Sequence, residues 1–492
     1  METTLPAHDV CYRALSARDA RFDGRLFVGV KTTGIYCRPI CPARTPKREN
    51  CRFFPSAAAA QTAGFRPCLR CRPEISPDAA AWRGTSNSVS RALALIAEGA
   101  LDSGDVAVLA DRLGLGERQL RRLFDRHLGV PPIAVAQTRR ILFAKQLIQE
   151  TRLSMAEIAE ASGFGSIRRF NDAFRKLYDR TPRELRVSKS AGAESSLVTL
   201  RLGYRPPYDW ESILSFFAAR AISGVELVER GRYRRTIALG GAVGSFEIAP
   251  GENCLVATIR FPQVRALLSV VARLRRMFDL DADVHAIGSH LAKDLGLAPL
   301  IARRPGLRTP GAWDSFEYAV RAILGQQITV AGARTFAGKL VSLCGTQVSP
   351  EESGHAALTH IFPAPAEIAG ADFAGFGIPG ARAAALQSLA RTALADPKLF
   401  QTDRTPEDVL ARLLALPGFG EWTVQYWALR ALRDSDAFPA ADVALLRALT
   451  VDGKRLTPKA LTERAESWRP WRAYAAQHLW SADADSRSVQ HG

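Results

Sequence analysis

Leu416-Pro417-Gly418-Phe419-Gly420-Glu421-Trp422-Thr423 opens the stretch LPGFGEWTVQYWALRAL over 416–432, and its reading decides the fold of the C-terminal half. Two glycines flanking one apolar residue tolerate the tight, positive-φ backbone that joins two helices. Backbone N–H groups left free at such a hairpin and at the next helix start can face a phosphate, while its carbonyls can hold a monovalent cation. An ordinary helix turn also fits Gly418 and Gly420, so the downstream residues carry the weight. FPAADVALLRAL over 438–449 sets Asp442 amid apolar residues. A carboxylate there either caps the next helix or is held for chemistry.

Outward from this motif, helical periodicity runs back to about residue 261, whereas 197–260 carries short β-rich runs: SLVTLRLGY, RRTIALG, GSFEIAP and NCLVATIRF. SPDAAAWRGTSNS at 76–88 and SKSAGAESS at 188–196 read as linkers around a helical stretch. The tail SADADSRSVQHG lacks an apolar period and is expected to be loose. With 492 residues, 47% of them hydrophobic, the chain has material for about three or four domains.

Charge is unevenly placed. Residues 1–190 hold 32 Lys/Arg against 19 Asp/Glu, which accounts for +13 of the net +17. Such a concentration favours a polyanion partner, because neutralising phosphates releases counterions. No apolar h-region follows Met1 and no apolar run is long enough to span a bilayer, so a cytoplasmic protein with reduced thiols and no membrane partner is expected.

The same basic region holds Cys37 and Cys41 in GIYCRPICPAR, and Cys68 and Cys71 in GFRPCLRC. A C-x3-C pair and a C-x2-C pair separated by 26 residues suit one tetrahedral zinc ion per chain, held by four thiolates. Such a zinc often does no more than fold a small module. Cys11, Cys51, Cys254 and Cys344 are scattered and are expected to be buried bystanders.

Two further segments share one grammar: DVAVLADRLGLGERQLRRLFDRHLG and SMAEIAEASGFGSIRRFNDAFRKLY. Each sets a short apolar helix against glycine, Gly114 or Gly163, and then a basic helix, which is helix-turn-helix wiring. Arg118, Arg121 and Arg122 in the first unit, and Ser166, Arg168, Arg169 and Asn171 in the second, are candidates for DNA contact. A single such helix could be a plain solvated face; two in one basic domain favour the groove.

AEIAEASGFGSIRRFNDAFRKLYDRTPRELR resembles the second helix-turn-helix of the AraC/XylS regulators, and DGRLFVGVKTTGIYCRPICPARTPKRENCRFF with TAGFRPCLRC resembles the Ada zinc domain. The Ada resemblance implies that Cys37 is both zinc ligand and irreversible acceptor of a methyl group from a DNA methylphosphotriester. It also implies DNA contacts by Thr33, Arg44 and Arg66, a promoter-binding activator, and RNA polymerase as its partner. Loss of one thiolate charge on methylation would tighten DNA binding. No PCHRV-type motif occurs after residue 190, so O6-methylguanine repair is not expected.

LPGxGxWT followed by Asp442, together with EYAVRAILGQQITVAGARTFAGKLV and SWRPWRAYAAQHLW, resembles the helix-hairpin-helix DNA glycosylases, and among them the AlkA alkylbase group. The resemblance implies hydrolysis of the N-glycosidic bond of alkylated bases of the 3-methyladenine type. Asp442 would stabilise positive charge on the deoxyribose or deprotonate water. Of the aromatic residues Trp422, Tyr426, Trp427, Trp471, Tyr474 and Trp480, the motif match selects Trp422, Tyr426 and Trp480 as pocket walls for stacking and cation–π contacts. Trp422 stands where strand-cutting relatives have a Schiff-base lysine, and no cysteine follows Cys344 to hold an iron–sulfur cluster. Where AlkA inserts a leucine into the duplex, this chain offers Gln326 and Gln327.

The expected architecture is therefore multidomain and mainly α with α+β parts: a four-cysteine zinc domain over 1–76, an AraC-type double helix-turn-helix over 85–187, a TBP-like α+β AlkA N-terminal domain over 195–308, and an all-α helix-hairpin-helix glycosylase domain over 309–485. The expected function is base excision of alkylated DNA fused to a methylation-sensing regulator, in a nucleoid-associated cytoplasmic protein. The rival is a regulator whose glycosylase half only binds or scans DNA.

Overall fold

The computed structural model describes residues 5–76, 87–102, 104–186, 197–400, 406–449 and 455–491. Nearly all of both expected linkers lies outside these residues. The cysteine-bearing region forms a four-stranded sheet in the order Cys51–Phe54, Phe27–Val30, Ile35–Cys37, Arg66–Pro67, with helices His8–Ser16 and Ala57–Thr62. Gly29 is required at its centre, since a Cβ there would lie 2.8 Å from the Phe65 ring.

The two helix-turn-helix units pair Val106–Arg112 with Glu117–Leu128 and Met155–Ala161 with Ile167–Tyr178. Asp105, Ser154 and Ser166 accept backbone N–H groups at three of the four helix starts. The long helix Pro132–Glu150 lies between the units.

Apolar cores run across these regions. Phe27, Tyr36, Phe54 and Phe65 of the small sheet share one cluster with Leu109, Leu120 and Phe124 of the first unit. Ile158, Phe170 and Phe174 of the second unit share another with Val198, Leu200 and Ile259. Helix Pro132–Glu150 ties both sides. Its Thr138 donates to Gln61 at 3.0 Å, its Lys145 donates to Glu74 at 2.7 Å with both side chains fully buried, and its Gln146 donates to the Arg201 carbonyl at 2.9 Å. Arg205, also fully buried, donates to the carbonyls of Asp23 at 2.8 Å and Asp281 at 2.7 Å.

Residues 197–260 form a five-stranded antiparallel sheet in the order Leu197–Gly203, Cys254–Arg260, Ala242–Gly251, Arg232–Leu239, Glu226–Glu229. The four β-rich runs of the sequence are four of these strands; the fifth, ELVE, is a short edge. Helices then dominate, from Leu267–Met277 to Arg472–His491. The expectation of a wholly helical C-terminal domain needs one correction, a two-residue ladder of Thr346–Gln347 with His360–Ile361. The large sheet draws this segment out, because Gly224 bridges Leu358 and Thr236 donates to the His360 carbonyl at 2.6 Å.

The C-terminal tail is also corrected: SADADSRSVQH continues the last helix rather than lying loose. It is held by charge instead of apolar period. Asp483, buried, accepts from Arg447 at 2.5 and 2.6 Å, and Asp485 accepts from Arg304 at 2.9 Å. Cys11, Cys51 and Cys254 are buried as expected, but Cys344 is only half-buried near the end of its helix. Among the described residues no helix is long and apolar enough to cross a membrane.

Sheet and helical core are joined by a buried ion network. Arg235 pairs with Glu317 and with Glu226, at 3.2 Å for the latter; Arg321 donates to Glu226 at 2.5 Å and to Glu317 at 2.8 Å; Tyr233 donates to Glu226 at 2.7 Å. Buried charges are tolerated here because each has two or more partners. Glu317→Ala should leave Arg235 underpaired and lower unfolding free energy by about 3–5 kcal/mol, read as a fall in the urea midpoint.

Candidate functional site

The hairpin is built as its glycines require. Gly418 has φ +84, and a Cβ on it would lie 2.7 Å from that of Ala385, so both backbone and space exclude a side chain. Gly420, in ordinary extended backbone, precedes helix Glu421–Trp427. Gln326 Nε2 donates to the Gly418 carbonyl at 2.6 Å and to Thr423 Oγ1 at 3.0 Å, tying the 325–329 loop to the hairpin. Gln327, next to it, is exposed and left-handed at φ 57.

Beside the hairpin lies a cleft of about 1590 Å³, and Asp442 opens into it. Its Oδ1 caps helix Val443–Ala448, accepting from Ala444 N at 3.0 Å and Leu445 N at 3.2 Å. The same carboxylate accepts Trp422 Nε1 on Oδ2 at 2.9 Å and Trp480 Nε1 on Oδ1 at 3.0 Å. Capping and clamping therefore coexist, and four donors fix the half-buried group at the cleft wall. Tyr426 stacks on Trp422 with centroids 5.2 Å apart and planes 6° apart, and meets Trp480 edge-on at 5.9 Å. Trp427 and Tyr474 are core residues; Tyr474 donates to Asp279 at 2.7 Å. Trp471 is half-buried against the C-terminal core.

Four cleft residues were not singled out by the sequence: Phe216 and Arg220 from helix Trp210–Arg220, which lie outside the quoted motifs, and Tyr318 from helix Ser315–Leu324 and Arg430, which lie within them. Arg430 lies buried in the π-helical turn Ala428–Leu432, four residues after Tyr426. Its guanidinium already covers a face of Phe216 at 4.6 Å, Trp480 at 5.1 Å and Tyr426 at 5.6 Å. The one legible hint was an arginine within the apolar run WALRAL.

Gln477, on the same helix as Trp480, holds Arg430 at 2.9 Å, and between them His478 is buried. Burial and then the Arg304 charge push His478 down to about 4. The unfolded imidazole, at about 6.5, takes up its proton first. Stability should therefore fall as pH drops from about 6.5 towards 4, and His478→Gln should flatten that slope in urea melts.

In the small sheet the sulfurs of Cys37, Cys41, Cys68 and Cys71 all lie within 4.8 Å of one another. Tetrahedral zinc–sulfur bonds of about 2.3 Å fit that spacing. Four thiolates this close repel one another, so the set needs a divalent ion to stay deprotonated together. The four are unequal. Cys71 Sγ accepts Arg38 N and Cys68 Sγ accepts Arg70 N, each at 3.4 Å, and three sulfur residues are buried while Cys37 is half-exposed. Thr33, Arg44 and Arg66 are exposed in this region.

On the helix-turn-helix units, Arg118, Arg121 and Arg122 are exposed, with Arg121 held by Glu117. Arg168 and Arg169 are exposed and Asn171 is half-buried; Ser166 Oγ accepts Arg169 N at 3.2 Å, so it caps its helix.

A four-thiolate centre, two basic helix-turn-helix units and a hairpin beside a carboxylate in an aromatic cleft define a zinc-binding, DNA-handling fusion. Family models match along the chain: the metal binding domain of Ada at 10–74, a helix-turn-helix domain at 109–188 and the AlkA N-terminal domain at 199–314. The probable bifunctional transcriptional activator/DNA repair enzyme AlkA of Mycobacterium tuberculosis H37Rv is 42% identical over 96% of this chain and 95% of its own. DNA-3-methyladenine glycosylase 2 of Escherichia coli K12 is 34% identical over 57% of this chain and 95% of its own. The 3-methyladenine DNA-glycosylase structure from Archaeoglobus fulgidus, 23% identical, has a TM-score of 0.51 over 58% of this chain and 98% of its own, a likeness of fold. The chain belongs to the family of bifunctional transcriptional activator/DNA repair enzymes AlkA.

Proposed function

We propose that the C-terminal half is a monofunctional DNA glycosylase that hydrolyses the N-glycosidic bond of alkylated bases of the 3-methyladenine type, with Asp442 as its catalytic group. The observation that carries this is the Asp442 carboxylate, fixed by two indoles and a helix start at the wall of an aromatic cleft. As the bond to a flipped base lengthens, positive charge grows on the deoxyribose, and a preorganised carboxylate stabilises it without reorganisation. Trp422, Tyr426 and Trp480 offer faces to the base, Gln327 is the group exposed to enter the duplex gap, and Gly418 with Gly420 brings a phosphate close. The hairpin carbonyls would also hold a monovalent cation, with Gly418 O already engaged by Gln326. Within this reading 309–485 carries the chemistry and 195–308 completes its cleft.

Asp442→Asn in the full-length protein should slow release of 3-methyladenine from alkylated duplex about 10²-fold or more in single-turnover assays. Release at the wild-type rate would remove Asp442 from the chemistry, and no release by the wild-type protein would leave the rival reading, a half that only scans DNA.

The N-terminal half is proposed to sense methylphosphotriesters. Region 1–76 would accept the methyl group, and 85–187 would read promoter DNA and engage RNA polymerase. Zinc, held by Cys37, Cys41, Cys68 and Cys71, would keep the Cys37 sulfur a thiolate at neutral pH. Cys37 Sγ would attack the methyl carbon while the carbon–oxygen bond breaks and the phosphate departs as an anionic diester. Support comes from the asymmetry of the cluster. Cys68 and Cys71 each take a backbone N–H, which dampens a thiolate, while Cys37 is the one residue of the four that is not fully buried. Full-length protein incubated with methylphosphotriester DNA should gain one methyl mass, mapped to Cys37; Cys37→Ser should gain none.

A further inference from the structure

Two arginines sit badly with a cleft that only binds cationic bases. Arg220 lies over Phe216 at 4.0 Å and Arg430 over the same ring at 4.6 Å, so an entering cation would meet like charge. Arg430 is buried, its Nη1 donating to the Pro310 carbonyl and Nη2 to Gln477, while its Nε has no partner. Between the arginines are two tyrosine hydroxyls: Tyr318 donates to Tyr426 at 3.0 Å, which leaves the Tyr426 proton free to point elsewhere. Tyr426 stacks on the same Trp422 that binds Asp442, and both Tyr426 and Asp442 line the cleft.

We propose that the Tyr318–Tyr426 hydroxyl pair, set between Arg220 and Arg430, is the leaving-group end of the cleft: it donates to the base as the glycosidic bond breaks and decides how far excision depends on the base already being cationic. The inference rests on the glycosylase reading. A cationic alkylpurine takes the electron pair of the broken C1′–N bond and becomes neutral, needing no donor. A neutral lesion takes the same pair and becomes an anion. For that base the Tyr426 O–H passes its proton to a ring nitrogen as the bond breaks, and the phenolate left behind faces Arg220, Arg430 and the Tyr318 O–H. Water adds to C1′ and gives its proton to Asp442, which passes it to solvent, and solvent returns a proton to Tyr426. One water is consumed per base released, with no other reactant. Burial pushes the Tyr426 hydroxyl up, but the Arg220 and Arg430 charges and the Tyr318 hydrogen bond outweigh it and bring the group below the ordinary phenol value. Burial keeps Tyr318 well above that value and therefore a donor. A purely structural role, with the arginines only stiffening the rings, would not distinguish the two kinds of base.

The test is single-turnover release by the full-length protein from two duplexes, one carrying 7-methylguanine as the cationic base and one carrying hypoxanthine as the neutral base. Tyr426→Phe, Tyr318→Phe and Arg220→Met should each lower the ratio of hypoxanthine to 7-methylguanine rate by about tenfold or more, and Arg220→Lys should recover part of it. Tyr318→Phe and Arg220→Met carry the test if Tyr426→Phe does not fold. A smaller fall in the ratio across the variants overturns the inference alone. Release of neither base by the wild-type protein overturns the glycosylase reading and this inference with it.

Discussion

The pairing of Glu226 and Glu317 with Arg235 and Arg321 is the constraint on which the C-terminal half turns. Four charges out of water are costly, and the cost is offset only while every partner stays in place. That requirement locks the edge of the five-stranded sheet to helix Ser315–Leu324. Arg321 also donates to the Arg220 carbonyl at 3.0 Å, so the end of helix Trp210–Arg220 is held by the same group. Arg220 and Tyr318 thus reach the cleft from distant parts of the chain, fixed by charge satisfaction. The cleft is a product of two regions: Asp442, Trp422 and Trp480 come from the helical core, and the polar far end comes from where the sheet-bearing region meets it.

The parts of the site that the sequence made legible are those encoded locally. Gly418 and Asp442 stand in short motifs whose geometry follows from residue type and spacing, and the indoles of Trp422 and Trp480 meet that carboxylate. The four cysteines carry their own chelate spacing. Phe216 and Arg220 have no local signature, and Tyr318, though it stands in a quoted segment, is placed in the cleft by Tyr426, 108 residues further on. Arg430 stands four residues after Tyr426, on the face that helical periodicity assigns, yet what its guanidinium meets there, Phe216 and Gln477, is encoded far away in sequence. Gln326 and Gln327 are equivalent in sequence, yet one is spent on hairpin hydrogen bonds and the other stands exposed.

The same limit explains the tail and the shared cores. Periodicity reports that a face is apolar, never what covers it. Ile158, Phe170 and Phe174 announce a buried face, and the large sheet that shares their core is encoded after a linker. Asp483 and Asp485 announce nothing apolar, since their helix is held by Arg447 and Arg304 instead. The zinc region obeys the opposite rule, with close spacing, small loops and a sheet whose Gly29 admits Phe65.

Cores shared across regions also bear on the order in which this chain can mature. Synthesis delivers the cysteine-rich region and both helix-turn-helix units first. The apolar side chains of the second unit share a cluster with residues as far along as Trp313. A nascent chain paused before Leu197 would display Phe170, Phe174 and their neighbours to the ribosome surface and to chaperones, with their eventual partners in the large sheet still untranslated. A messenger truncated before the large sheet would release a half-product with that apolar face uncovered.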